Sequence, residues 1–135
     1  MPARYFIAAS AAIVFAMGTG HMWLTFFSRA FSPRDSALEE RMKSVPTVFN
    51  KRLLMWKAWV GFNASHSVAP MLFGAIYGYL ALEHSELLFG SIFLMAVGAT
   101  TLFAYVLLAA RYWFYAPLSG LLLSLALYLA GLALH

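Results

Sequence analysis

The sequence predicts an all-α integral membrane protein in which four spanning helices form a bundle within a single domain, residues 1–135. Hydrophobic residues make up 63% of the chain and charged residues 10%, whereas a soluble domain carries roughly 25% charged residues. A water-soluble fold of this size has too little interior to bury so much apolar surface. The composition therefore argues against a soluble enzyme, and a net charge of only +4 gives no indication of a nucleic-acid partner.

Four apolar stretches predict the membrane-spanning helices. They cover residues 5–27, 56–82, 87–110 and 116–134, and about 20 apolar residues are enough to cross a bilayer as a helix. Isolated strands are excluded because their backbone groups would stay unpaired in lipid. The first stretch is longer than the apolar core of a cleaved signal peptide, which runs about 7–15 residues, so we interpret it as a span.

Residues 28–57 form a basic connection between the first two predicted helices. They hold ten of the fourteen charged residues, seven basic and three acidic, and this excess equals the net charge of the chain. The positive-inside rule places such a connection in the cytoplasm. We therefore expect a multi-pass protein of the cell membrane with residues 28–57 cytoplasmic and both termini outside.

This cytoplasmic connection is predicted to contain a short amphipathic helix. Ser32, Pro33 and Asp35 match the N-cap, N1 and N3 pattern of a helix start, and Pro46 ends the pattern. Between them, apolar and charged residues alternate at helical spacing. Two positions are open for this helix, on the membrane surface or over the mouth of the bundle.

Two histidines lie inside the predicted spans at matching depths. His21 comes eight residues before Arg29, and His66 comes nine residues after Lys57. At 1.5 Å per residue these positions are about 12 Å and about 13–14 Å from the cytoplasmic edge. Because ionisable residues within a membrane are costly and prompt a functional hypothesis, we expect the two imidazoles to face each other between antiparallel helices.

Polar and aromatic neighbours extend this pair into a predicted pocket between the first two helices. On the second helix, spacings of three and four residues place one set of these side chains on the histidine face. The predicted ligand-binding residues are His21, Thr25, Trp59, Asn63, His66, Ser67 and Tyr77. The alternative is purely structural, since polar side chains also form hydrogen bonds between membrane helices.

The same two helices carry residues that weaken or tighten them. Gly18 and Gly20 come just before His21. Pro70 has no N–H group, which removes the partner of the His66 carbonyl and predicts a bend in the second helix. Further along, Gly74 and Gly78 form a small-xxx-small pair that favours close helix packing.

The chemistry available within the spans is narrow. The chain has no cysteine, which excludes thiolate metal sites. No aspartate or glutamate lies within a predicted span, which argues against carboxylate-bridged di-iron sites and acidic proton relays. The favoured function is binding of a hydrophobic small ligand, with catalysis less favoured. Two alternatives are an accessory subunit of a larger membrane complex or homo-oligomer, and a haem b protein with His21 and His66 as axial ligands.

One segment also resembles a known family. Trp59 to Ser67 reads W-x-G-F-N-x-S-H-S, with Gly20-His21 on the first helix and Tyr77 to Leu82 further on. This pattern resembles a family of small uncharacterised bacterial proteins with four predicted membrane helices. The resemblance implies the four-helix fold and a bacterial inner membrane, and it implies no reaction.

Overall fold

A computed structural model describes residues 2–135, and the described chain is helical without a regular sheet. The all-α prediction is confirmed. The six helices are α1 (Ala3–Phe27), α2 (Ser36–Ser44), α3 (Met55–Glu83), α4 (Ser85–Gly90), α5 (Ile92–Tyr112) and α6 (Tyr115–Ala133).

Three of the described helices are long and apolar enough to cross a membrane: α1, α5 and α6. The prediction of four spans is therefore supported for three. Helix α3 has 29 residues, which is long enough to cross a bilayer. Its first half, however, is too polar for α3 to count among the apolar spanning helices. The residues that lower its hydropathy are Lys57, Asn63, Ser65, His66, Ser67 and Pro70.

The third predicted span, residues 87–110, was wrong at its start. A short helix, α4, comes first and ends at Gly90, and α5 begins at Ile92. Between them Ser91 has extended backbone angles, and its hydroxyl accepts a hydrogen bond from the Leu94 N–H at 3.3 Å. Glycine is a poor helix former and serine a good N-cap, so this pair ends one helix and starts another.

Helix α2 is the short helix predicted in the connection, but it begins later than the sequence indicated. Asp35 is the N-cap, and its carboxylate accepts from the backbone N–H groups of Ala37 and Leu38. Ser32 does not cap it. The helix ends just before Pro46, as predicted.

Ion pairs link α2 to the residues that follow α1. Glu39 pairs with Lys43 at 2.9 Å and with Arg29 at 3.1 Å. The hydrogen bond from the Lys43 ammonium holds the pKa of Glu39 below its usual value, with Arg29 adding to the effect. Lys43 also lies over the Trp56 ring at 5.6 Å, so α2 contacts the first turn of α3.

The chain divides into two compact units, and the divisions fall where the sequence predicted weak points in the helices. One unit comprises the chain up to Met17 together with Pro70–His135, and the other is Gly18–Ala69. Helix α1 passes from one unit to the other at Gly18, and α3 does so at Pro70. The bend of α3 at Pro70 stays a prediction.

The unit that includes α4 to α6 is held together by tight interhelical contacts. Ser10 on α1 and Ser124 on α6 are buried, their hydroxyl oxygens are 2.8 Å apart, and each also donates to the carbonyl of the other. The hydroxyls of Tyr77 and Tyr128 donate to the α5 carbonyls of Leu94 and Met95. Around these bonds lies a core that includes Ile7, Ala11, Val14, Phe73, Leu88 and Leu102.

Gly74 is required by the close approach of α1 and α3 within this unit. A Cβ at Gly74 would lie 2.6 Å from the Ala11 carbonyl oxygen and 2.8 Å from the Phe15 backbone nitrogen. A Cβ at Gly78 would only reach ordinary contact with the Ala11 Cβ, at 3.7 Å. The two glycines of the predicted packing pair are therefore not equivalent.

We expect Gly74→Ala to destabilise the protein by about 1–3 kcal/mol relative to Gly78→Ala, the range for overpacking. Both variants gain the same helix propensity from alanine, so the difference between them isolates the backbone clash. Denaturant unfolding of both variants in one detergent measures it. Equal stability of the two variants would contradict the close packing at Gly74.

Candidate functional site

The two histidines that the sequence placed at matching depths lie in contact, as predicted. His21 on α1 and His66 on α3 have ring centroids 5.4 Å apart and an interplanar angle of 77°. This is an edge-to-face arrangement, one of the favoured geometries for aromatic rings. Both residues belong to the unit Gly18–Ala69.

Asn63 is the buried centre of this cluster, with only 3% of its surface exposed. Its Oδ1 lies 3.1 Å from Nε2 of His21, and its Nδ2 donates to the Trp59 carbonyl at 2.9 Å. Its own carbonyl accepts from the Ser67 hydroxyl at 2.9 Å. A buried amide with both ends bonded is held in one orientation.

That orientation determines which nitrogen of His21 carries the proton. The Asn63 Nδ2 group donates to Trp59, so the amide presents Oδ1, a pure acceptor, to His21. The Nε2 atom of His21 must therefore donate, and in the neutral ring Nδ1 is then an acceptor. This assignment follows from the hydrogen-bond network, as is usual for histidine tautomers.

Two phenylalanines flank the histidine pair, and sequence reasoning missed both. Phe31, in the connection, lies 4.4 Å from the His21 ring centroid, and Phe62 stacks on His66 at 6.0 Å. Phe62 precedes His66 by four residues, a spacing that brings side chains together on a helix and could have identified it. Phe31 lies outside any helix, so no periodicity marks it.

Trp59 ties the connection to α3. Its indole Nε1 donates to the Phe31 carbonyl at 2.8 Å. Trp59 therefore fixes the position of the residue that packs against His21. The sequence had placed Trp59 among the pocket residues, and this hydrogen bond gives it a specific role in shaping the site.

A small cavity adjoins Asn63, and an open groove borders that cavity. The cavity has a volume of about 40 Å³ and is lined by Thr25, Ser28, Phe31, Ser32, Trp56, Trp59, Val60 and Asn63. The groove has a volume of about 430 Å³ and is lined by Ala30, Phe31, Ser32, Pro33, Met42 and Trp59. Three residues line both, so the groove borders the cavity. The cavity is large enough for a water molecule or a group of similar size.

Six of the seven predicted site residues lie in one unit, but their roles differ from the prediction. His21, His66, Asn63 and Trp59 are joined as described above. The hydroxyls of Thr25 and Ser67 donate to main-chain carbonyls of their own helices, at His21 and Asn63. Both hydroxyls are therefore engaged with the backbone, whereas the Asn63 side chain bonds a ring nitrogen, Nε2 of His21.

Tyr77 belongs to the other unit. It is 5% exposed, its ring packs on Phe73 and Tyr128, and its hydroxyl donates to the Leu94 carbonyl at 2.7 Å. These contacts make it part of that unit's core. The helical face that linked it to His66 in the sequence crosses Pro70, where the units divide.

Haem ligation is not favoured by the geometry of the ring pair. Two axial histidines hold the porphyrin plane between them, and rings in edge contact leave no room for that plane. The Nε2 atom of His21 is also engaged with Asn63. Within residues 2–135, no group of three or more potential metal-binding side chains comes together.

Comparisons with known proteins give no further assignment. No family model, curated protein or solved structure matches this chain. The resemblance of the Trp59 to Ser67 pattern to a bacterial membrane family therefore stays a prediction.

We expect His21 to carry its proton on Nε2, because Asn63 presents only an acceptor to that atom. Nitrogen-15 chemical shifts of histidine-labelled protein distinguish the tautomers, and His21→Gln assigns the signal. Asn63→Ala should release the preference and give a mixture. Ser65→Ala is the matched control, since its exposed hydroxyl donates to the Phe62 carbonyl of its own helix. A protonated Nδ1 in the unsubstituted protein would contradict the network.

Proposed function

We propose that this chain is a multi-pass membrane protein that binds a small amphipathic ligand at the cluster His21, Asn63 and His66. The observation that carries the proposal is the buried Asn63, which lines a small cavity and whose amide orients one of two contacting imidazoles. A purely structural histidine needs one partner on a neighbouring helix. The cluster brings together two imidazoles and an oriented amide, which is more than the hydrogen bonding of a structural histidine requires.

The chemistry of the walls supports a ligand with an apolar body and a small polar end. Phe31, Pro33, Met42 and Trp59 give the groove an apolar lining. The cavity that borders the groove adds hydroxyl groups and Asn63, and Asn63 connects this cavity to the imidazole pair. A carbonyl or hydroxyl group fits a cavity of about 40 Å³, while a ring or chain fits the groove.

We propose a topology of four spans, with α3 as the fourth beside α1, α5 and α6. The length of α3 supports this, and its polar first half is where the ligand site lies. A helix that lines a polar pocket carries polar residues, and these residues lower its mean hydropathy. Residues 28–57 then face the cytoplasm of a bacterial cell, with both termini outside, because eight of the nine basic residues fall on one side.

Ligand binding predicts a stability gain that depends on the cluster. A ligand at a hundred times its Kd stabilises a protein by about 2.7 kcal/mol. Protein stripped of bound lipids should therefore melt at a higher temperature when the extract of copurified small molecules is returned. Asn63→Ala and His66→Ala should lose this gain. His84→Ala is the control, because His84 bonds Tyr79 in the other unit.

Other outcomes of this experiment exclude the proposal. An equal gain in all three variants would show that any ligand binds elsewhere. A Soret band that disappears in His21→Ala would indicate haem. Copurification of another membrane protein, unaffected by all three variants, would favour an accessory subunit. Mass spectrometry of the extract identifies the ligand in the supporting case.

The topology has its own test. A fluorescent reporter that matures only in the cytoplasm should be dark when it is fused after His135. It should be bright when it is fused to a chain that ends at Asn50. If α3 did not cross the membrane, α5 and α6 would return the C-terminus to the cytoplasm. Bright C-terminal fusions would therefore contradict the four-span topology directly.

A further inference from the structure

Residues 47–53 form a fixed turn just ahead of α3. We name this segment the Thr47–Leu53 turn. The Thr47 N–H donates to the Leu53 carbonyl at 2.7 Å, and the Leu53 N–H donates to the Asn50 carbonyl at 3.0 Å. A bridge between Pro46 and Leu54 closes its base. The turn is therefore a defined structure whose tip is held in place.

Two apolar side chains stand at the tip of this turn. Val48 and Phe49 are fully exposed, at 107% and 94%, more than any other large hydrophobic residue in the described chain. Exposed apolar residues elsewhere lie mainly on helices, where lipid can cover them. These two project from an irregular segment outside the helices, so a different explanation is needed for them.

Basic side chains follow the apolar tip immediately. Lys51 and Arg52 are exposed and make no ion pair within residues 2–135. By contrast, Arg29 pairs with Glu39, and Lys43 pairs with both Glu39 and Glu40. The third acid of the connection, Asp35, is used as the cap of α2. The positive charge beside the tip is therefore left uncompensated by the protein.

We propose that the Thr47–Leu53 turn is a binding site for the anionic bilayer surface, with Val48 and Phe49 inserted among the lipid headgroups and Lys51 and Arg52 on lipid phosphates. Apolar residues with adjacent basic residues are the usual means of interfacial binding. The turn ends two residues before α3, whose first turns carry Trp56 and Trp59, the residue type found at membrane interfaces. The proposal does not depend on the ligand-binding proposal.

A second copy of the chain is the main competing occupant of this surface. Pairing two such turns across a twofold axis brings the same patch of each copy together. Lys51 and Arg52 of both copies would then meet without an acid to balance them. Charge complementarity therefore favours anionic lipid over a second copy of the chain as the partner of this surface.

The absence of cysteine from the chain allows a spin label at a single chosen position. The full-length protein carrying Val48→Cys, and separately Ser36→Cys on exposed α2 as control, is labelled and placed in vesicles with or without phosphatidylglycerol. Collision with oxygen reports immersion in lipid, and collision with a water-soluble nickel chelate reports exposure. Each basic residue near an anionic surface contributes roughly a fivefold gain in membrane affinity.

In anionic vesicles we expect the label at position 48 to lose nickel access and gain oxygen access, while the label at position 36 stays accessible to nickel. Adding Lys51→Gln and Arg52→Gln, or Phe49→Ser, should restore nickel access at position 48. Equal nickel access at positions 48 and 36 would overturn insertion. Equal immersion in neutral and anionic vesicles would overturn the role assigned to the two bases. Spin–spin broadening that disappears on dilution with unlabelled protein would show that a second copy covers the turn.

Discussion

Polar groups buried among apolar side chains must find hydrogen-bond partners within the protein, and the buried side chains of the described structure follow this requirement apart from Nε of Arg4. An unpaired polar group costs roughly 1–3 kcal/mol on the protein mutational scale. Ser10, Asn63, Tyr77 and Tyr128 accordingly donate to main-chain carbonyls of the same or a neighbouring helix. Each such bond also fixes a side chain, so satisfying the solvent constraint produces the rigid geometry at both the packing core and the histidine cluster.

The polarity of α3 connects the proposed site with the proposed topology. Asn63 and His66, which build the histidine cluster, are among the residues that make the first half of α3 less apolar than α1, α5 or α6. A helix cannot both line a polar pocket and present an unbroken apolar surface. Its second half lacks such residues and packs against α1 through Gly74. The two halves of one helix therefore serve different purposes, and Pro70 lies at the change.

Sequence reasoning predicted the features that follow from one-dimensional patterns. The long apolar stretches gave α1, α3 and α6 nearly to their ends, Pro46 gave the end of α2, and residue counting gave the contact between His21 and His66. It failed where a single local competition decides the outcome. Ser91 ends up as a cap because its hydroxyl reaches the Leu94 N–H, and an apolar stretch gives no sign of that.

The composition of the site was predicted only in part, because side-chain direction depends on partners distant in sequence. Asn63 was identified by its helical face, but its bond to His21 required knowing how α1 and α3 meet. Tyr77 was assigned to the pocket by extending that face past Pro70, and it belongs instead to the other unit's core. Phe31 could not be predicted from the sequence, because its position depends on the hydrogen bond that its carbonyl accepts from the Trp59 indole.

The Ser10–Ser124 contact has a consequence for how this protein can change over evolutionary time. Each hydroxyl donates to the opposite carbonyl across 114 positions of sequence. Losing one serine leaves the other hydroxyl bonded to its main-chain carbonyl, but it removes one of the two bonds and the 2.8 Å contact between the hydroxyl oxygens in a buried interface. Residues in direct contact have coupled effects on stability, so the effect of a substitution at Ser10 depends on which residue stands at position 124.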